Sequence, residues 1–303
     1  MTSRLALLFP GQGSQFVGMG RKLYEVSTAA RAVFEEADAV LGFSLSRLCF
    51  EGPEEELKLT ANTQPAILTH SVAAFRDLQE RDPRRLEGAA FAAGHSLGEY
   101  SANVGAGTLS FAVALRLVRA RGGFVQEAVR PGVGAMAAIL GLAAQEVGRA
   151  CEEAAQGEVV APANFNSPEQ TVIAGHAGAV ERASEICRER GAKRAILLPV
   201  SAPFHCALMA PARERMRPLL EQAPFSDPAW PVVTNQDAIP RARGSELREA
   251  LVHQIDSPVR WVESIRALGR EGVDRALEIG PGNVLTGLVK RIEKGIAVES
   301  YGG

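Results

Sequence analysis

The chain has 303 residues, with 33 basic and 35 acidic side chains, a net charge of -2 and 46% hydrophobic residues. That is enough to bury a large core in one large domain or two smaller ones, and the near-neutral charge gives no electrostatic basis for nucleic acid or an anionic membrane as partner. No stretch reaches the length of a membrane span, the apolar run at 5–9 is cut by Pro10-Gly11 before signal-peptide length, and Cys49, Cys151, Cys187 and Cys206 lack zinc or disulfide spacing, so a reducing cytoplasm is expected.

In chain order, residues 5–9 read as a buried strand, followed by the glycine loop Pro10-Gly11-Gln12-Gly13-Ser14-Gln15. Two readings of that loop stay open: amide donors around Gln12 that wall an oxyanion site, or a tight turn into the next helix. Ser27 caps an amphipathic helix through Val33, Phe34, Ala37 and Leu41 that Gly42 ends. A second helix opens at Asn62-Thr63-Gln64-Pro65 with Pro65 in its first turn, and His70 is a packed histidine within it. The small, apolar run 89–93 then leads into Gly94-His95-Ser96-Leu97-Gly98, and a helix-compatible run leads out from Glu99. This is the strand-turn-helix context of a nucleophile elbow. Such a turn exposes Ser96 Oγ, needs glycine at 94 and 98 to avoid collisions, and aims the Leu97 N–H where an oxyanion would form. A helix capped by Ser110 carries Arg116, Arg119 and Arg121. A guanidinium fork suits a carboxylated substrate, but spacing does not choose among the three.

Between 131 and 200 the pattern becomes strand 133–140, helix 145–155, strands 159–165 and 171–174 around a turn at Asn166-Ser167-Pro168, helix 179–190, and strand 194–200. This β-α-β-β-α-β order is that of a ferredoxin-like unit, so 131–200 is expected as a small subdomain inserted into a larger α/β subdomain made of 1–130 and 201–303. Its last strand runs into Ser201-Ala202-Pro203-Phe204-His205-Cys206. His205 follows a buried strand and a proline turn, and beside a candidate serine a catalytic role is favoured over a satisfied loop histidine. Cys206 reads as a packed cysteine, because partners in a catalytic pair come from separate segments. Beyond it, 231–234 reads as strand and 246–254 as helix. Ser257-Pro258 starts a helix with Trp261, Ile265 and Leu268 on one face, and 273–279 forms the last strand. Gly280-Pro281-Gly282 lacks the spacing and lysine of a phosphate loop and is a turn before the closing helix.

Several of these segments together resemble the malonyl-CoA:acyl carrier protein transacylases. They are 9–15, Asn62-Thr63-Gln64-Pro65, 94–101, Arg121-Gly122, Asn164-Phe165-Asn166-Ser167-Pro168, Pro203-Phe204-His205, 254–261 and Gly280-Pro281-Gly282, and they cover nearly the whole chain. The resemblance implies an α/β fold with a hydrolase-like, mainly parallel large subdomain and a ferredoxin-like small one. It implies ping-pong transfer of malonyl from coenzyme A to the phosphopantetheine thiol of acyl carrier protein through a malonyl-serine. By motif, Ser96 is the nucleophile and His205 its base, Gln12 and Leu97 supply oxyanion N–H groups, and Arg121 grips the malonyl carboxylate. Gln254 supports His205 through its backbone carbonyl, so no triad carboxylate is expected. Phe204 resembles the residue of malonyl-selective members, where methylmalonyl-selective relatives often carry a smaller side chain. The implied partners are acyl carrier protein and a coenzyme A thioester, with no metal or redox cofactor, nucleic acid or membrane. A serine esterase or thioesterase is the rival of the same chemistry. A non-catalytic acyl-binding scaffold is the rival of another class, and it would need none of Ser96, His205, Arg121 and Gln12 for folding.

Overall fold

Every residue of Leu5–Phe9 is buried, as a strand covered on both faces must be. This strand, β1, lies inside a six-stranded sheet of the computed structural model, which describes residues 3–200 and 202–302. The other strands are β2 (Ala89–Gly94), β3 (Gly134–Leu140), β4 (Val160–Ser167), β5 (Gln170–His176), β6 (Arg194–Leu197), β7 (Val232–Val233), β8 (Pro240–Arg241), β9 (Arg275–Ile279) and β10 (Ala297–Tyr301). The first sheet has the order β10-β9-β1-β2-β7-β8 and is parallel except for β8 at one edge. Leu5, Leu7 and Phe9 pack on one of its faces and Ala6 and Leu8 on the other, each against covering helices. A separate four-stranded sheet, β4-β5-β3-β6, is antiparallel throughout. The protein is thus α/β, with a mixed, largely parallel sheet and a second, antiparallel one.

The strand period of two gives the second sheet two different tasks. Ala137, Ile139 and Ile173 face the helices Ala144–Ala155 and Ala177–Glu189 and form a core of their own with Val147, Cys151 and Val180. Met136, Ala138, Val172 and Ala174 point the opposite way and join the main core beside Leu97 and Phe204. The two sheets are also stitched by backbone: Val259 N–H donates to Ala163 C=O at 2.8 Å and Phe165 N–H to Val259 C=O at 2.9 Å.

Those two bonds correct one expectation. The helix expected from Ser257 begins at Trp261, because the peptide groups around Val259 are taken up by β4 and hold that stretch extended. The second expected helix runs Thr60–Arg81 with Pro65 inside it rather than in its first turn. Proline has no N–H to offer the Ala61 carbonyl. Arg119 Nη1 replaces that donor at 2.6 Å and also reaches Asn62 Oδ1. The last strand of the 131–200 segment ends at Leu197 rather than Val200, since Pro199 has no N–H to continue the ladder. β4 runs on through Ser167, with an irregular register past Phe165, so the turn is confined to Pro168-Glu169. β9 is not the final strand: after the helix Val284–Ile292, β10 adds to the sheet edge. Ser201, where the second part of the large subdomain was expected to begin, lies outside the described residues. The helix Thr28–Leu41 has its expected ends, with Ser27 Oγ accepting from Ala30 N–H and Gly42 left-handed at φ 73. Among the described residues no helix is long and apolar enough to cross a membrane.

The helices Thr60–Arg81 and Phe111–Ala128 touch at Gly122. A Cβ there would lie 2.7 Å from both Ala61 Cα and Thr60 O, which are backbone atoms that cannot turn aside. Gly122→Ala is therefore expected to destabilise the fold by about 1–3 kcal/mol, read as a lower urea midpoint at unchanged slope. An unchanged midpoint would mean that the two helices separate without cost.

Candidate active site

Strand β2 delivers the chain to a sharp reversal at His95-Ser96, and the helix Gly98–Gly105 follows at once. Ser96 has φ 51, in the left-handed region that few non-glycine residues occupy. The reversal works only without side chains at its flanks: a Cβ on Gly94 would lie 1.9 Å from Gly98 C, and one on Gly98 would lie 2.0 Å from Phe9 O. The loop after β1 is drawn equally close, with Gly11 so near the His95 carbonyl that a Cβ would sit 2.3 Å from its oxygen. Gln12 is thereby brought to the same wall as Ser96 and Leu97. All three line a cleft of about 480 Å³ whose opposite wall is the Met136, Ala138 and Val172 face of the antiparallel sheet.

Ser96 Oγ stands 2.7 Å from His205 Nε2. On the far side of the ring, Nδ1 faces two backbone carbonyls, Gln254 O at 3.0 Å and Ser257 O at 3.1 Å. Carbonyls only accept, so Nδ1 carries the proton and Nε2 is left free to accept from the serine hydroxyl. Arg121 Nη2 donates to Ser96 Oγ at 3.2 Å and to Gln254 Oε1 at 3.0 Å. Arg121 is 2% exposed, whereas Arg116 is exposed and Arg119 is occupied at the Ala61 carbonyl. Phe204 is buried and lines the cleft beside His205.

Burial, and then the Arg121 charge, push the His205 pKa down to about 3, so its imidazole is neutral near pH 7. Burial also pushes the Glu99 carboxyl up to about 7. The Cys206 thiol, driven up to about 11 by burial and bonded to Pro203 O, is a packed and unreactive group, as expected.

The structure gathers the residues that the resemblance assigned to the site, Ser96, Leu97, Gln12, His205, Phe204 and Arg121 at the cleft and Gln254 directly behind it, and leaves Arg116 and Arg119 outside it. Sequence reasoning missed Ser257 as a second carbonyl on His205, and it missed Asn235, whose Oδ1 accepts from Ser96 N–H at 2.6 Å. His95 Nε2 lies 2.8 Å from Asn166 Oδ1, so the residue read as part of a turn instead ties the antiparallel sheet to the elbow. Glu99 stands within the serine motif, but nothing in its spacing marks it as buried.

The acyl transferase domain family matches residues 6–299. The malonyl CoA-acyl carrier protein transacylase of Escherichia coli (strain K12) is 51% identical over 290 residues, which cover 96% of this chain and 93% of the relative. That of Bacillus subtilis (strain 168) is 50% identical over 293 residues, covering 96% and 91%. Among solved structures, an acyl carrier protein S-malonyltransferase from Vibrio cholerae has a TM-score of 0.94 at 49% identity, covering 98% of this chain and 96% of that one. A type II PKS acyl-carrier protein in complex with its malonyl-transacylase matches with a TM-score of 0.95, 49% identity and the same coverage. Likeness of this extent spans every segment that meets at Ser96, and the chain belongs to the acyl transferase family, among the malonyl CoA-acyl carrier protein transacylases.

Proposed function

We propose that this chain transfers malonyl from malonyl-CoA to the phosphopantetheine thiol of acyl carrier protein, with Ser96 as the nucleophile. The observation that carries the reading is the buried Arg121 guanidinium 3.2 Å from Ser96 Oγ, a cation set where the acyl group of a malonyl ester would place its carboxylate. His205 Nε2 takes the hydroxyl proton as Oγ attacks the thioester carbon. The backbone N–H groups of Gln12 and Leu97 receive the oxyanion, and His205 returns its proton to the departing coenzyme A thiolate. The carrier-protein thiol then reverses these steps on the malonyl-serine, which makes the reaction ping-pong. Exchange between two thioesters is isoenergetic acid–base and nucleophilic chemistry, so side chains suffice and no metal or redox cofactor takes part.

The division of labour follows the two sheets. Residues 1–130 and 201–303 form a hydrolase-like large subdomain that holds nucleophile, base and cation, and 131–200 form a ferredoxin-like small subdomain that closes the cleft. The strand order β4-β5-β3-β6, with both helices on one face, supports that description. The enzyme works in the cytoplasm.

Ser96→Ala is expected to fold and to lose the malonyl adduct that mass spectrometry finds on the wild-type chain; an adduct retained on another residue would displace Ser96. Arg121→Ala should raise the malonyl-CoA barrier by about 3–5 kcal/mol, the size of a broken buried charge pair, while sparing acetyl-CoA. Equal losses for both substrates would make Arg121 structural.

The acid limb of Ser96 labelling by a small fluorophosphonate should lie below the ordinary histidine pKa of about 6.5, because burial and Arg121 both disfavour the His205 cation. Arg121→Ala should move that limb upward, and an unmoved limb would remove Arg121 from the control of His205. Phe204 is buried and lines the cleft beside His205, where its ring would compete with a 2-methyl group on the acyl α-carbon. Malonyl-CoA should therefore exceed methylmalonyl-CoA by about 10- to 100-fold in kcat/KM. Phe204→Ser should narrow that ratio; a ratio left unchanged would mean that selectivity is set elsewhere in the cleft.

A further inference from the structure

Ser96 at φ 51 holds a left-handed conformation that is unfavourable for an L-residue, and the bonds that keep it there come from distant segments. Asn235 Oδ1 accepts from Ser96 N–H at 2.6 Å, and Asn235 Nδ2 donates to the Gly94 carbonyl at 2.7 Å. Gln254 Nε2 donates to the Ser96 carbonyl at 2.8 Å. A single atom joins these two residues: Glu99 Oε2 accepts from the backbone N–H of Asn235 at 3.0 Å and from the side-chain Nε2 of Gln254 at 2.9 Å. None of the three residues is more than 1% exposed. The ladder between β2 and β7 ends at Ala93 and Val233. Asn235, two residues on, extends it with a side-chain amide after the backbone has turned away, and Arg260 N–H fixes its own carbonyl at 2.9 Å.

We infer that Asn235, Glu99 and the Gln254 side chain form a positioning clamp, a closed ring of hydrogen bonds that grips both peptide groups of Ser96 and sets Oγ against His205. The inference rests on the reading of Ser96 as the nucleophile. A packing role would need only volume at position 235, whereas the ring needs an acceptor and a donor on one side chain, aimed at Ser96 and Gly94. Asn235→Asp keeps the shape and the acceptor but sets an oxygen against the Gly94 carbonyl. Glu99 is the junction, and Glu99→Gln retains an acceptor oxygen there while Glu99→Leu does not.

The test is the rate at which Ser96 of the full chain is labelled, by a small fluorophosphonate and by malonyl-CoA. Asn235→Asp is expected to slow both by about 10- to 100-fold, the order of a misplaced nucleophile. Affinity for malonyl-CoA, measured with Ser96→Ala in the same chain, should change by less than about twofold. Glu99→Gln should label within about threefold of wild type and Glu99→Leu should fall with Asn235→Asp, a contrast that decides the matter if Asn235→Asp fails to fold. Wild-type labelling rates in Asn235→Asp or in Glu99→Leu, or affinity lost in step with labelling, would overturn the clamp. A wild-type chain labelled by fluorophosphonate but not by malonyl-CoA would count against the proposed acyl donor alone, and the clamp would then be judged on the fluorophosphonate rates.

Discussion

The site depends on how closely one helix is allowed to approach two strands. At Gly94 and Gly98 the backbones of β2, β1 and the helix Gly98–Gly105 come within distances that no Cβ permits. This contact aims the start of the helix at the cleft and forces Ser96 out of the strand direction. It also lets the loop after β1 lie against His95, so that Gln12 arrives beside Leu97 although 85 positions of chain separate them. A single methyl group at either glycine would push apart the wall on which the cleft is built.

The electrostatics of the cleft are those of a buried cation with little to neutralise it. Arg121 meets Ser96 Oγ, the Gln254 amide oxygen and, at 5.8 Å, the Tyr100 ring. The Glu99 carboxyl acts on it, but burial raises its pKa and weakens it as a counterion near neutral pH. Burial first, and then the same positive field, keeps His205 neutral. An anion arriving in the cleft therefore completes a charge balance that the protein itself leaves open.

Local chemistry was legible in the sequence wherever it is self-contained. The Ser27 cap, the Gly42 end and the glycine-flanked serine each carry their cause within a few residues, and the structure follows them. What escaped depends on partners far along the chain. Pro65 lies inside a helix because Arg119, from another helix, replaces the donor it lacks. Ser257-Pro258 has the form of a helix start, yet β4 claims the neighbouring peptide groups. Arg121 lies on the buried face of the helix Phe111–Ala128 with Ala114, Leu117, Val118 and Val125, and a cation on an apolar face is a placement that the spacing of three arginines does not by itself select. Asn235 stands 139 positions from Ser96 in a turn of no distinctive composition. The family resemblance selected Arg121 and Gln254, and the geometry around them gives that selection a physical reason.

The two carbonyls on His205 Nδ1 bear on which bonds the cleft suits. An aspartate in their place would stabilise an imidazolium through its negative charge, whereas Gln254 O and Ser257 O offer only dipoles, with a guanidinium close by. Protonated His205 would then be a strong acid and deprotonated His205 a weak base. Such a pair gives its proton up readily to whichever group leaves, the Ser96 alkoxide of the proposed acyl-enzyme included. A thiolate departs with little assistance, because its conjugate acid has a pKa of about 8.5. The missing carboxylate thus favours handing the proton on over keeping it, so that acyl groups pass through the cleft in either direction.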